Sequence, residues 1–134
     1  MKHAKLSAYR WIREAENTLA QAEQMIRPRA YSFACFLAEQ TAQKALKAVR
    51  FWDGARMVTI HSIAELIKEI KKTRPEFSKL FTEGAKLDQY YLSSRYPDAV
   101  AEPAIPSEIF SKDQAEEAVR AARAIYEQCR KVIK

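Results

Sequence analysis

Tyr31-Ser32-Phe33-Ala34-Cys35-Phe36-Leu37-Ala38-Glu39-Gln40-Thr41-Ala42-Gln43-Lys44-Ala45-Leu46-Lys47-Ala48-Val49-Arg50-Phe51-Trp52 is the stretch that decides the fold. Its first half, to Ala38, is apolar nearly all round, the mark of a helix touched on several sides. Its second half keeps Ala42, Ala45, Leu46, Ala48, Val49 and Trp52 at helical spacing. The many alanines let neighbouring helices approach closely. The pattern predicts a central helix from Ala30 to Trp52, broken by Asp53-Gly54, with Gly54 as a left-handed C-cap.

Amphipathic helices are expected on both sides of it. Ala8, Ile12, Ala15, Leu19, Ala22 and Ile26 alternate in steps of four and three, one continuous stripe from about Lys5 to Ile26. Arg27-Pro28-Arg29 ends that helix, because proline cannot continue the hydrogen-bond ladder. Ser62 and Glu65 form a capping box ahead of a third helix from about Ile63 to Lys72, which buries Ile63, Leu66, Ile67 and Ile70. Thr73 and Glu76 repeat the signal, with Pro75 in the first turn. They open a fourth helix carrying Phe77, Leu80, Phe81, Leu87, Tyr91 and Leu92, in which Gly84 either weakens the helix or permits a close contact. Tyr96 to Phe110 holds three prolines and no helical period, and a loop of that length is often functional. Ser111 and Gln114 cap a fifth helix that turns Ala118, Ala122, Ile125, Cys129 and Val132 inward and Arg120, Arg123, Arg130 and Lys131 outward.

Two glycines in 134 residues are too few for tight hairpins or glycine-rich phosphate loops. The expected fold is therefore all-α, an up-and-down bundle of four to five helices forming one domain over residues 1–134. The net charge of +6 favours anionic partners such as nucleotides, nucleic acid or an acidic protein face. No stretch approaches the roughly 18 apolar residues of a membrane span, and the start has no signal-peptide run, so a soluble, cytoplasmic protein is expected. Cys35 and Cys129 sit inside apolar helical patterns and read as buried, reduced thiols. With His3 and His61 as the only histidines, and no paired cysteines, HExxH or calcium-loop pattern, neither a metal nor another cofactor is expected. Walker, dinucleotide-binding and serine-elbow motifs are absent, and Ser93 and Ser94 read as hydrogen-bonding the end of the fourth helix.

One cluster carries chemistry: Tyr90, Tyr91, Arg95, Tyr96 and Asp98. Arginine offers a planar fork that matches phosphate oxygens, and adjacent tyrosines can stack a base or line a cleft. The structural alternative is an arginine paired with Asp98 or with an acid on another helix, beside tyrosines half-buried in the bundle. On the residues alone the structural alternative is slightly favoured. His61, just ahead of the capping serine, reads first as a local hydrogen-bonding residue and second as a group at a phosphate or an interface.

These segments, in order, resemble the HEPN superfamily (higher eukaryote and prokaryote nucleotide-binding domains). The resemblance runs from Trp11 and Ala15 through Tyr31–Phe36 and Gln40-Thr41-Ala42-Gln43-Lys44-Ala45-Leu46-Lys47-Ala48. It continues with His61-Ser62-Ile63, Leu87-Asp88, Arg95-Tyr96-Pro97-Asp98 and Phe110–Ala115. It implies a bundle of four or five helices that forms a homodimer, of the small prokaryotic type found beside a minimal nucleotidyltransferase. Some such domains are metal-independent ribonuclease toxins with an Arg-x(4–6)-His motif after the fourth helix. There the histidine handles protons and the arginine steadies the scissile phosphate.

Arg95 aligns with the motif arginine, but Val100, Ala101 and Glu102 stand where the histidine belongs. Arg56–His61 satisfies the spacing at the wrong place in the fold, and Gln43 replaces the family's usual glutamate. The expectation is accordingly a non-catalytic module that binds a nucleotide or phosphorylated ligand, or partners a nucleotidyltransferase in a toxin–antitoxin-like system. Arg95 would hold phosphate, and Tyr91 or Tyr96 would pack on a base. Asp98 belongs to the same cluster, Lys44 or Lys47 would add charge, and His61 would sit nearby. The alternatives are a metal-independent ribonuclease that uses Arg95 with His61, and a structural module that only docks another protein.

Overall fold

Capping and helix-breaking residues divide the chain much as the sequence places them. In the computed structural model, which describes residues 2–134, the order is α1 (Lys2–Gln24), α2 (Tyr31–Trp52), α3 (Ile63–Ile70), a 3₁₀ turn (Pro75–Leu80), α4 (Phe81–Asp88), α5 (Tyr90–Ser93), a 3₁₀ turn (Pro97–Ala99), α6 (Pro106–Ile109) and α7 (Lys112–Val132). No strand occurs among the described residues, and the fold is an all-α bundle in a single domain. No helix among them is long and apolar enough to cross a membrane.

The central helix is α2, which touches each of the other α-helices. Ala34, Ala38, Ala42, Ala45 and Ala48 are fully buried, and with no side chain beyond Cβ they let the flanking backbones come close. α1 meets them with the buried stripe Ala8, Ile12, Ala15, Leu19 and Ala22, and α7 with Ala118, Ala122, Ile125 and Cys129. Gly54 adopts φ +103° just beyond α2, a left-handed conformation that a Cβ would strain. The box at α7 is complete: Ser111 Oγ accepts from Gln114 N at 3.1 Å, and Ser111 N donates to Gln114 Oε1 at 3.1 Å.

Several local expectations are corrected. The fourth helix is not continuous but splits into a 3₁₀ turn, α4 and α5. Thr73 does not cap it, because its hydroxyl donates back to Ile70 O at 3.4 Å. Phe81, Tyr91 and Leu92 are exposed rather than inward-facing. The proline-rich stretch contains two short helical turns, each begun by proline at a position where the missing N–H costs little. At the chain's end Ile133 takes the buried position expected of Val132, which is half-buried. Gly84 resolves to the close-contact reading: an added Cβ would lie 2.7 Å from Ile67 Cδ1 and 2.8 Å from Ile63 Cγ2. That closeness lets α4 lie directly on α3, and it brings Asp88 to the start of α3.

Candidate functional site

Asp88, at the end of α4, supplies the N-terminal cap of α3 from outside the helix. Its carboxylate accepts from Ile63 N at 2.7 Å, Ala64 N at 3.0 Å and the Ser62 hydroxyl at 2.9 Å. These are N–H groups that a helix start leaves without internal partners, and a negative charge there meets the positive end of the helix dipole. Ser62 Oγ in turn accepts from Glu65 N at 3.2 Å. The residue just before this cap, His61, is thereby held over α2.

On α2, Glu39, Gln43 and Lys47 follow one another in steps of four and so share a face. Together with His61, Ser62, Asp88 and Tyr91, Glu39 and Gln43 line a polar groove of about 280 Å³. Lys47 Nζ lies 3.3 Å from His61 Nδ1 and 5.4 Å from the centre of the Trp11 ring. Burial pushes the Lys47 amine below its ordinary range, and the Glu39 charge partly opposes this. Burial likewise raises the Glu39 carboxyl. Amides of Gln43 and Gln40 donate to that carboxyl, and the Arg95 charge also favours its ionised form.

Arg95 ends this face. Its guanidinium lies 4.2 Å from the Phe36 ring centre and 4.9 Å from each of the Tyr91 and Tyr96 rings. Nε and Nη2 donate to Tyr91 O at 3.0 and 2.8 Å, and Nη1 lies 3.5 Å from the Tyr96 hydroxyl. Among the described residues no carboxylate is within ion-pair distance of it. Neither Asp98 nor an acid on another helix pairs with Arg95. The result is a cation on an aromatic platform, its plane fixed by a carbonyl, with donors left on Nη1 and Nη2.

The structure therefore brings Arg95, Tyr91, Tyr96, Lys47 and His61 to one side of the bundle. It does not bring Lys44 there. Lys44 Nζ donates to Thr18 Oγ1 at 2.9 Å, lies 3.8 Å from Glu14 Oε1, and lines a separate recess with Arg10 and Trp11. One residue past Gln43 is roughly 100° round the helix, and that turn aims Lys44 at α1. Asp98 is exposed on the short turn after Tyr96 and bears no ion pair to Arg95. Tyr90 turns away to meet Phe110 edge-on at 5.6 Å. Ser93 and Ser94 donate to the carbonyls of Gln89 and Tyr90, holding the end of α5.

Sequence reasoning missed Glu39, Asp88 and Phe36 as parts of the site. The signal for Glu39 was present: a carboxylate between Ala38 and Ala42 in an otherwise apolar helix has to meet either a partner or a ligand. Among the described residues no group of three or more His, Cys, Asp or Glu is placed to hold a metal ion.

Fold and groove together define a small α-helical bundle with a polar face on α2 and a cation, Arg95, just after α5. A sequence model of the HEPN domain matches residues 8–132, and the chain belongs to the HEPN family. The structure is similar to the crystal structure of TT1696 from Thermus thermophilus, with 29% identity and a TM-score of 0.87 over 93% of this chain and 97% of that one. It is also similar to ST0689, an archaeal HEPN homologue, with 32% identity and a TM-score of 0.78 over 95% of this chain and 98% of that one. No curated protein matches the chain.

Proposed function

We propose that the groove takes the phosphodiester of an RNA strand and that the protein is a metal-independent ribonuclease of the HEPN kind. The observation that carries this reading is the position of His61. It belongs to the start of α3, yet it lines the same groove as Tyr91, whose carbonyl fixes Arg95. It supplies the imidazole missing after Arg95. In the proposed step His61 takes the proton from the ribose hydroxyl next to the scissile phosphate. That oxygen bonds to phosphorus, the bond from phosphorus to the following ribose oxygen breaks, and the leaving oxygen takes a proton from water, while the His61 imidazolium returns its proton to solvent. The products are a cyclic phosphate end and a free hydroxyl end. Arg95 and Lys47 stabilise the charge that builds on the phosphoryl oxygens. An exposed apolar rim of Phe33, Leu92 and Tyr96 is assigned to a second copy of the chain, which would set two such grooves side by side.

The test is cleavage of single-stranded RNA in excess chelator by wild type, His61→Ala and Arg95→Ala. Cyclic phosphate ends from wild type, lost in both variants, support the reading. Cleavage unchanged in His61→Ala removes it.

A second reading is favoured by one observation: Arg95 already directs Nε and Nη2 at its own helix, which suits a fixed anion anchor better than a moving catalytic group. On this reading the protein is a non-catalytic nucleotide-binding module working beside a separate minimal nucleotidyltransferase. Calorimetric binding of ATP that is lost in Arg95→Ala, with no RNA cleavage by wild type, selects it.

A further inference from the structure

A second cleft, of about 830 Å³, lies between the α1–α2 connection and α7. Five cations line it: Arg27, Arg29, Lys112, Arg120 and Arg123. All five are exposed. Two acids accompany them, and Glu23 is already taken by Arg123 at 2.6 Å. That leaves four cations facing Glu116, and among the described residues none of the four has an ion pair. On α7, Lys112, Glu116, Arg120 and Arg123 recur at steps of four, four and three, so they form one stripe. Arg27 and Arg29 come from the turn opposite, where Arg29 holds φ +63°, an uncommon conformation for a residue with a side chain.

We propose that this cleft is a nucleic-acid contact that holds phosphates of the same RNA strand outside the segment seated at Arg95. This rests on RNA being the ligand of the Arg95 groove. Tyr31 of the cleft and Phe36, on which Arg95 stacks, are five residues apart on α2. That is roughly 8 Å along the helix axis and about 140° round it, so the two lie on different sides of α2 and a strand longer than a few nucleotides is needed to reach both. The lining also selects the occupant. Guanidinium forks suit phosphate oxygens, and the Tyr31 ring offers a face on which a base can stack. Beyond Tyr31, Ile26 and Val119 are the apolar side chains of the cleft.

The test uses the whole chain, fluorescence anisotropy, and two probes: a trinucleotide, which spans only the Arg95 groove, and a long single-stranded oligonucleotide. Proteins are wild type, the double variant Arg27→Ala/Arg120→Ala, and Arg95→Ala. The substituted cleft residues are exposed and unpaired, so folding is retained, and circular dichroism checks it. The expected result is that the double variant binds the long RNA about tenfold more weakly at low salt. Its log–log salt slope should be smaller by about 1.4, the share of two single-strand phosphate contacts. Its trinucleotide affinity should match wild type, while Arg95→Ala weakens both probes. Unchanged long-RNA binding by the double variant overturns the second contact and leaves the Arg95 reading standing. No binding of either probe by wild type overturns both. Binding of a polyglutamate peptide, but not RNA, that is lost in the double variant assigns the cleft to an acidic protein and also overturns the proposal.

Discussion

Replacing Asp88 should show how much of the groove depends on a cap supplied from another helix. The carboxylate accepts from Ile63 N, Ala64 N and the Ser62 hydroxyl at 2.7, 3.0 and 2.9 Å. A helix cap contributes about 1 kcal/mol, and bonds to a charged acceptor about 1.5–3 kcal/mol each. The three share one acceptor and do not add, and Asp88 is only half-buried, so water replaces part of what is lost. Asp88→Ala is therefore expected to cost about 2–4 kcal/mol. Asp88→Asn keeps an oxygen acceptor but no charge, and should cost about half as much. Urea denaturation measures both. Amide hydrogen exchange adds a local readout, since Ile63 and Ala64 should lose protection in Asp88→Ala beyond the global change. Because His61 sits just before this cap, the same variant should also reduce whatever activity the groove has. A loss within about 0.5 kcal/mol, the range of an ordinary surface substitution, with unchanged exchange at Ile63 and Ala64, refutes the reasoning.

Four further outcomes are expected. Gly84→Ala gains up to about 1 kcal/mol of helix preference, but its Cβ meets Ile63 Cγ2 at 2.8 Å, a stiff branched group. Overpacking should win by about 1–2 kcal/mol in thermal or urea unfolding, and a stabilised variant contradicts the close-contact account. Burial raises the Glu39 carboxyl, so the folded chain holds that proton more tightly than the unfolded one. Its contribution is full below the unfolded value of 4.5 and disappears as pH rises through the folded value. Glu39→Gln should flatten the fall in stability over that window, and matching pH profiles of the urea midpoint sink the idea. Lys47→Met removes an amine that burial holds below its usual range, so stability should hold or rise by about 0–1 kcal/mol while RNA or ATP affinity drops at least severalfold, and unchanged affinity removes Lys47 from the site. Cys35, pushed up to about 12, and Cys129, raised further by burial, should resist a thiol-reactive disulfide reagent at neutral pH and react only in denaturant; rapid labelling of the native chain shows that one is accessible.

Much of the fold was legible because α2 announces its own environment. A helix with alanine at 34, 38, 42, 45 and 48 can only lie at the centre of other helices, and it touches all of them. Breakers were read well where one residue determines the geometry, as at Gly54, and poorly where two partners compete. Thr73 satisfied the capping pattern, but the nearer carbonyl of Ile70 took its hydroxyl. In the site, Arg95, Tyr91 and His61 were legible by type, and the structure added their shared face. Lys44 and Lys47 were not separable by type, because only the packing of α1 decides that one meets Thr18 and the other His61. Asp88 was invisible as a cap because its partners are 24 to 26 residues away in sequence, beyond any local motif.

The polar face of α2 is hard to explain by stability alone. Glu39 is completely buried, Gln43 and Lys47 nearly so, and buried polar groups cost free energy unless they are fully paired. Each has a hydrogen-bonding neighbour, but among the described residues none is ion-paired. Gln40 and Gln43 serve Glu39, an imidazole nitrogen lies within hydrogen-bond distance of the Lys47 amine, and Arg95 is tied to a neutral carbonyl rather than to an acid. Leucine or methionine at positions 39 and 47 would pack the same helix with no desolvation to offset. What the polar residues provide instead is a groove lined by two carboxylates and an imidazole, with the Lys47 amine beside His61 and the Arg95 guanidinium against Tyr91, held in place by a rigid helix and by a cap from α4. On the proposed reading the cations meet the anionic oxygens of a phosphate-bearing ligand and the imidazole meets its hydroxyl. A purely structural docking surface would not require an imidazole beside these cations, and for that reason the groove is the part of this bundle to test first.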